Sequence, residues 1–164
     1  MSNPTYYLTT TGNGYSPDGT LPPGAVACTQ EQHANAGAWT IENGEIVAYT
    51  MPLAEAQAVQ SAVIKTACRN AILGGFSSSA LGADYAYPSD DVAQRNIGMC
   101  AVGGGLLWCE TGATWAMVVH TTAQAQQVQK DLFAMIQTNQ AKYETLMGEI
   151  AAATSVAAVQ AITW

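Results

Sequence analysis

Fixed charge is scarce in this chain. Asp, Glu, Lys and Arg make up 10% of its 164 residues, against about 25% in an average globular protein. The five basic side chains, Lys65, Arg69, Arg95, Lys130 and Lys142, are scattered along a sequence of formal net charge −7. A protein that neutralises phosphates needs clustered lysine and arginine, so nucleic acid is set aside as a partner. The same deficit argues against anionic membrane surfaces. No apolar run approaches the ~20 residues of a membrane span. Met1-Ser2-Asn3-Pro4-Thr5 lacks a basic region followed by an apolar core, so no secretory leader is expected and the product should stay in the cytoplasm where it is made. There Cys28, Cys68, Cys100 and Cys109 are expected as thiols, and no Cys-x-x-Cys pair is present.

Apolar residues are plentiful, at 49% of the chain, and the length allows one domain or one domain with a small appendage. So little charge fits a surface covered by partners. It also fits an alanine-rich protein whose surface relies on Thr, Gln, Asn and Ser.

The pattern divides at Pro52. Before it, hydrophobic stretches are short and bounded by breakers: Tyr6 to Thr9, Ala25 to Cys28, Trp39 to Ile41 and Ile46 to Thr50. Their alternation and their aromatic or β-branched content predict short strands. Asn43-Gly44 predicts a two-residue hairpin turn, since both central positions need positive φ. Thr29 can cap a short helix from Gln30 to Asn35, with Gln32 near a capping-box position. A unit of ~50 residues is small for independent stability and is expected to lean on the rest of the chain or on a partner.

After Pro52 the period becomes helical. Val59, Val63 and Ala67 lie four apart, as do Ile64, Cys68 and Ile72, which predicts one broad apolar face ending at Gly74-Gly75. Residues 76–87 read as a loop. Ser89 is the expected cap of a second helix that dissolves at Gly103-Gly104-Gly105. Leu106 to Cys109 and Thr114 to Val119 predict a hairpin of two short strands. Thr121 or Thr122 then caps the longest element, whose Val128, Leu132, Ile136, Tyr143, Met147 and Ile150 keep one face apolar through about 45 Å of helix. Thr154 starts a last short helix. The fold class is therefore α+β: a small β-rich N-terminal head over residues 1–52, then a predominantly helical body over residues 53–164 with one short hairpin.

Residues with chemical potential are few. His120 and a carboxylate among Asp84, Asp90, Asp91 and Asp131 would make a general base if they met in a pocket, and Ser77 to Ser79 could supply a nucleophile. No Gly-x-Ser-x-Gly elbow surrounds those serines, and Gly103 to Gly105 lacks the Lys-Ser/Thr of a phosphate loop. Cys100, Cys109 and His120 match no common zinc spacing. The favoured reading gives His120 a structural role at the helix start and makes Asp90 and Asp91 a dipole-matched helix end. No catalytic, cofactor-binding or metal-binding residue is assigned, and no cofactor is expected. The four tryptophans are more suggestive, because one such side chain buries a large area at a binding site. Trp108 and Trp115 are expected in the core. Trp39 and Trp164 stand evenly between core and interface.

Two stretches carry a family likeness. Tyr6-Tyr7 before a turn, then Gly14-Tyr15-Ser16-Pro17-Asp18-Gly19, Leu21-Pro22-Pro23-Gly24-Ala25-Val26 and Thr29-Gln30-Glu31-Gln32-His33 together resemble the N-terminal segment of tail-fibre assembly proteins of tailed bacteriophages. The second stretch runs through Gly75-Phe76, Gly82, Tyr85, Tyr87, Ser89-Asp90-Asp91, Gln94-x-Asn96-Ile97, Gly112-x-x-Trp115, His120-Thr121 and Ile162-Thr163-Trp164. It is similar to a domain of unknown function recurrent in phage and prophage tail-fibre-associated proteins. The resemblance implies a non-enzymatic bacteriophage tail protein that binds tail fibre or baseplate proteins, either as a virion component or as a transient fibre-assembly chaperone. It also implies a location in the host cytoplasm during assembly or in the virion tail. Self-association into a homo-oligomer is a further expectation. An enzyme acting on host surface polymer is the third and least favoured reading.

The candidate partner-binding residues are Tyr15, Trp39, Gln126, Gln129, Gln137 and Trp164. Gln126, Gln129, Lys130 and Gln137 are expected opposite the apolar stripe of the long helix, on a face that could be covered at little desolvation cost. Fluorescence anisotropy with labelled DNA or RNA should show no association that weakens steeply with added salt. Such an association would contradict the charge argument.

Overall fold

The computed structural model describes residues 5–112 and 114–164 of an α+β chain, which divides into two compact units, Met1–Met51 and Pro52–Trp164. In the first unit, β1 (Thr5–Thr9), β2 (Gly12–Ser16) and β3 (Val26–Cys28) form an antiparallel sheet in the order β2-β1-β3. The glycine-rich β2 was not among the strands expected. It pairs because Gly14 lies opposite Tyr7 and leaves room for that ring, where a Cβ would collide with it. Tyr6 packs on Tyr15 and on His33, with ring centres 5.3 and 4.9 Å apart.

The helix α1 (Gln30–Ala34) starts with the capping box read from the sequence. Thr29 accepts from the Gln32 amide at 3.1 Å, and the Gln32 side chain accepts from the Thr29 amide at 2.9 Å. A single 3-10 turn over Ala36–Ala38 leads into the β4 (Trp39–Glu42) and β5 (Glu45–Ala48) hairpin. Its turn residues Asn43 and Gly44 have φ of 52° and 82°, as a two-residue turn of this hand requires.

The second unit holds α2 (Leu53–Leu73), β6 (Phe76–Ser78), β7 (Tyr85–Tyr87), α3 (Asp91–Gly103), β8 (Gly105–Thr111), β9 (Thr114–His120), α4 (Thr122–Ala152) and α5 (Val156–Gln160). Its strands form an antiparallel sheet in the order β6-β7-β8-β9. The expected loop at residues 76–87 thus contains two strands, and the expected short hairpin is a pair of seven-residue strands within a larger sheet. Three-residue strands carry too little periodicity to be read from sequence.

One buried hydroxyl ties the segments flanking these short strands together. Ser89 was expected to cap α3, but Asp90 does so, accepting from the Val92 and Ala93 amides at 2.8 and 3.0 Å. Ser89 accepts instead from the Gly75 amide at 2.8 Å and donates to the Ile72 carbonyl at 2.5 Å. It joins the end of α2 to the segment that leaves β7. At Gly75, φ is +97° and a Cβ would lie 2.9 Å from the Tyr87 carbonyl oxygen, so glycine is required twice over.

The core gathers Tyr87, Ile97, Leu107, Cys109, Ala125, Val128 and Leu132 from the sheet, α3 and α4. On α2 the buried residues are Ala56, Ile64 and Cys68, whereas Val59 and Val63 are exposed, so the apolar face in contact is narrower than the sequence suggests. Gln57 donates to the Ile150 carbonyl at 3.0 Å and Gln60 to that of Ile162 at 2.5 Å, which fixes the C-terminal segment along α2. Ser155, rather than Thr154, caps α5. Leu132 is buried at the centre of this packing. Its replacement by Ala should cost ~2–5 kcal/mol of stability, measured by denaturant unfolding.

Candidate functional site

The alternation of a β-strand sends successive side chains to opposite faces. In β8 and β9 one face carries Leu107, Cys109, Ala116, Val118 and His120 and is buried or nearly so. The other carries Leu106, Trp108, Glu110, Trp115, Met117 and Val119. Trp108 lies opposite Met117, Leu106 opposite Val119 and Glu110 opposite Trp115. Leu106, Trp108, Trp115, Met117 and Val119 keep between 46% and 71% of their surface in solvent. Trp108 and Trp115 are therefore not core residues, contrary to the sequence expectation. The face continues into a cleft of about 240 Å³ bounded by Val92 and Asn96 of α3 with Leu106, Trp108 and Met117. A shallow recess lies between Pro88, Asp90 and the two tryptophans. A contiguous apolar surface of this kind, edged by polar groups, is characteristic of a protein interaction site.

Beneath the opposite face lies a satisfied polar cluster. A carbonyl can only accept, so His120 Nδ1 carries the hydrogen that it shares with the Val118 carbonyl at 2.9 Å. Its Nε2 shares a hydrogen bond with the Tyr87 hydroxyl at 2.8 Å. Burial pushes the Tyr87 hydroxyl well above its ordinary value, with the neighbouring Cys109 adding to the effect. Burial likewise raises the Cys109 thiol. Asp131 accepts from Ser78 at 2.6 Å and from Gln127 at 2.8 Å, so its hydrogen bonds do not reach His120 and the two form no dyad. His120 is held by Tyr87 and its own strand rather than ordering the helix start through its side chain. Thr121 and Gln124 make the capping box there. Cys100 points to the Leu106 carbonyl at 3.8 Å. Among the described residues, no group of three or more His, Cys, Asp or Glu is placed to hold a metal ion.

Of the six residues singled out from sequence, Tyr15 and Trp39 belong to the first unit and Gln126, Gln129, Gln137 and Trp164 to the second. Tyr15 is exposed on β2 against Tyr6, and Trp39 is half-buried beside Leu8, Thr9 and Ile41. Gln126 donates to the Ala101 carbonyl at 3.1 Å, and Gln129 lies beside Gly98. This row of α4 thus borders α3 and is not the free face opposite the stripe. Gln137 donates to Gln140 at 3.0 Å in a groove of about 820 Å³ between α2, α3 and α4. Lys65 and Arg69 line that groove with Asp91 and Glu144, so its charge balances. Trp164 is half-buried under the Lys142 ammonium, 4.6 Å from the ring centre. The sheet face was missed, although its signal was present. The runs Leu106 to Cys109 and Trp115 to Val119 are apolar on both alternating sets, a pattern that demands cover on two sides.

Residues 55–163 match the family described as a domain of unknown function, DUF4376, and the chain belongs to that family. The match falls wholly within the second unit. No curated protein and no solved structure matches the chain.

The buried Tyr87 hydroxyl sets an alkaline limit. A group whose proton is held more tightly in the folded chain contributes stability below its unfolded pKa and loses it as pH rises. Thermal stability should therefore decline above the ordinary tyrosine value of about 10. Cys68 and Cys109, whose raised thiols start from 9.0, add an earlier slope. Melting curves followed by circular dichroism between neutral and strongly alkaline pH would show this, and Tyr87→Phe should flatten the decline above pH ~10.

Proposed function

We propose that the protein is a non-enzymatic binding module that docks onto another protein through the open face of β8 and β9. The observation that carries this reading is the exposure of Leu106, Trp108, Trp115, Met117 and Val119 on one contiguous surface. Tryptophan is the residue most enriched at sites where a few side chains dominate binding. Balanced charge in the α2–α4 groove and the fully paired His120 cluster give chemistry less support.

The sequence likeness to tail-fibre assembly and fibre-associated proteins gives the partner its class: a tail fibre or baseplate protein of a bacteriophage. On this reading residues 1–52 are a small head and residues 53–164 a body that presents the binding face. The protein acts in fibre attachment or assembly, in the host cytoplasm during assembly or in the virion tail. The second reading, a transient assembly chaperone absent from the mature particle, is favoured by the N-terminal likeness. Mass spectrometry of purified particles separates the two. Stoichiometric presence fits the structural component, and detection only in infected-cell lysate fits the chaperone.

Co-purification with a tagged fibre or baseplate protein tests the face itself. Trp108→Ser should weaken the association by ~2 kcal/mol or more, as expected of a central binding residue. The melting temperature should change little, because the side chain is already half in water. Undiminished co-purification of the folded variant would move the binding site elsewhere.

A further inference from the structure

The strand β9 closes one side of its sheet, and its sequence is Thr-Trp-Ala-Met-Val-Val-His. Edge strands in soluble proteins are commonly blunted by lysine, proline, a bulge or a covering element. β9 contains no lysine, no proline and no other fixed charge. Its seven residues pair with β8 without interruption from Thr114 to His120. The other edge, β6, is only three residues long and is tied to α4 through Ser78 and Asp131.

Thr111 and Thr114 close the hairpin with two positions between them, so the ladder bonds fall on the 111/114, 109/116, 107/118 and 105/120 pairs. The backbone groups of Trp115, Met117 and Val119 therefore face away from β8. Among the described residues, no backbone hydrogen bond outside the sheet involves any of the three. Their side chains are also the exposed ones.

We propose that β9 is a dimerisation edge, at which two copies of the chain pair antiparallel about a twofold axis at Met117. Two sheets of four strands then become one of eight. Centred there, the second copy's Met117 lies opposite Met117 and the second copy's Val119 opposite Trp115. Each of these pairs can exchange both backbone bonds.

Charge selects a second copy as the occupant. A twofold axis sets like residues near one another, so a charge close to the axis would face its own image. This chain carries a net charge of −7, yet the paired segment has none. The exposed side becomes an aromatic–aliphatic row of Trp115, Met117 and Val119 from each copy. The other side pairs Ala116 with Val118 and Thr114 with His120. An edge of this length, about 24 Å, joins the two copies through a single pair of strands. The dimer is therefore concentration-dependent. The open face of one copy continues into that of the other, so dimerisation widens the docking surface without covering it. The inference does not depend on the partner being a phage protein.

Sedimentation velocity of the full chain, from micromolar to sub-millimolar concentration, tests this. A monomer–dimer equilibrium is expected. Val119→Pro removes an outward N–H that the β8 ladder does not use, and Met117→Lys sets two cations face to face across the axis. Each should weaken self-association by about tenfold or more. Trp108→Ser, on β8 and away from the edge, should leave it unchanged, so this readout is independent of partner binding. Met117→Cys should form a disulfide-linked dimer under mild oxidation beyond any seen for the wild type, since paired Cα atoms lie ~5.5 Å apart. A wild type that stays monomeric throughout, a trimer, or a dimer indifferent to both Val119→Pro and Met117→Lys would overturn the proposal.

Discussion

In the second unit one side of the β8–β9 hairpin is dry and the other is wet, and much of the unit follows from that asymmetry. Leu107 and Cys109 can be buried only if α4 runs past them with Ala125, Val128 and Leu132 facing inward and Ile97 of α3 beside them. That packing sets where α3 ends, because Gly104 must pass close to the His120 carbonyl and the Thr122 amide, where a Cβ would be 2.9 and 3.2 Å from them. It also places Tyr87 within reach of His120. With α4 committed to one face and α3 reaching only the border of the other through Val92 and Asn96, the large apolar side chains of that second face stay exposed. The exposure of the apolar side chains there is a consequence of that layering.

Polar groups hold this arrangement at a few well-defined points. Ser89 joins the end of α2 to the start of α3, and Gln57 and Gln60 bind carbonyls near the C-terminus. Each links segments distant in sequence through a neutral side chain. In a low-dielectric interior such bonds carry no desolvation penalty for a full charge. A chain so poor in charged residues can therefore fix these tertiary contacts through neutral groups.

What could be read from the sequence was the local part. The Asn43-Gly44 turn, the Thr29 cap, the helix start at Thr121 or Thr122 (Thr121 is the cap) and the helix stop before Gly74 each depend on a few neighbouring residues. What could not be read depended on partners distant in the chain. β2 is permitted by the Tyr7 ring across the sheet, β6 and β7 are only three residues long, and Ser89 was diverted from capping by Ile72 and Gly75. The exposed face of the sheet shows the same division. Glutamines on α4 attracted notice because they lack charge, but α3 borders that row. The doubly apolar runs of β8 and β9 held the stronger signal. Trp108 and Trp115 were expected in the core because large aromatic side chains are usually buried.

The two capping boxes have glutamine at their third helical position, Gln32 and Gln124, where glutamate is the common alternative. The reciprocal bonds at the starts of α1 and α4 are thus made by groups that neither ionise nor attract counterions. Acid leaves them intact, and salt has no charge there to screen. For α4 this matters beyond the helix itself, because its cap, Thr121, follows directly on β9 and fixes how the strand leaves the sheet. The junction keeps one geometry across changes of pH and ionic strength that loosen charge-held helix ends, and the open edge beside it inherits that constancy.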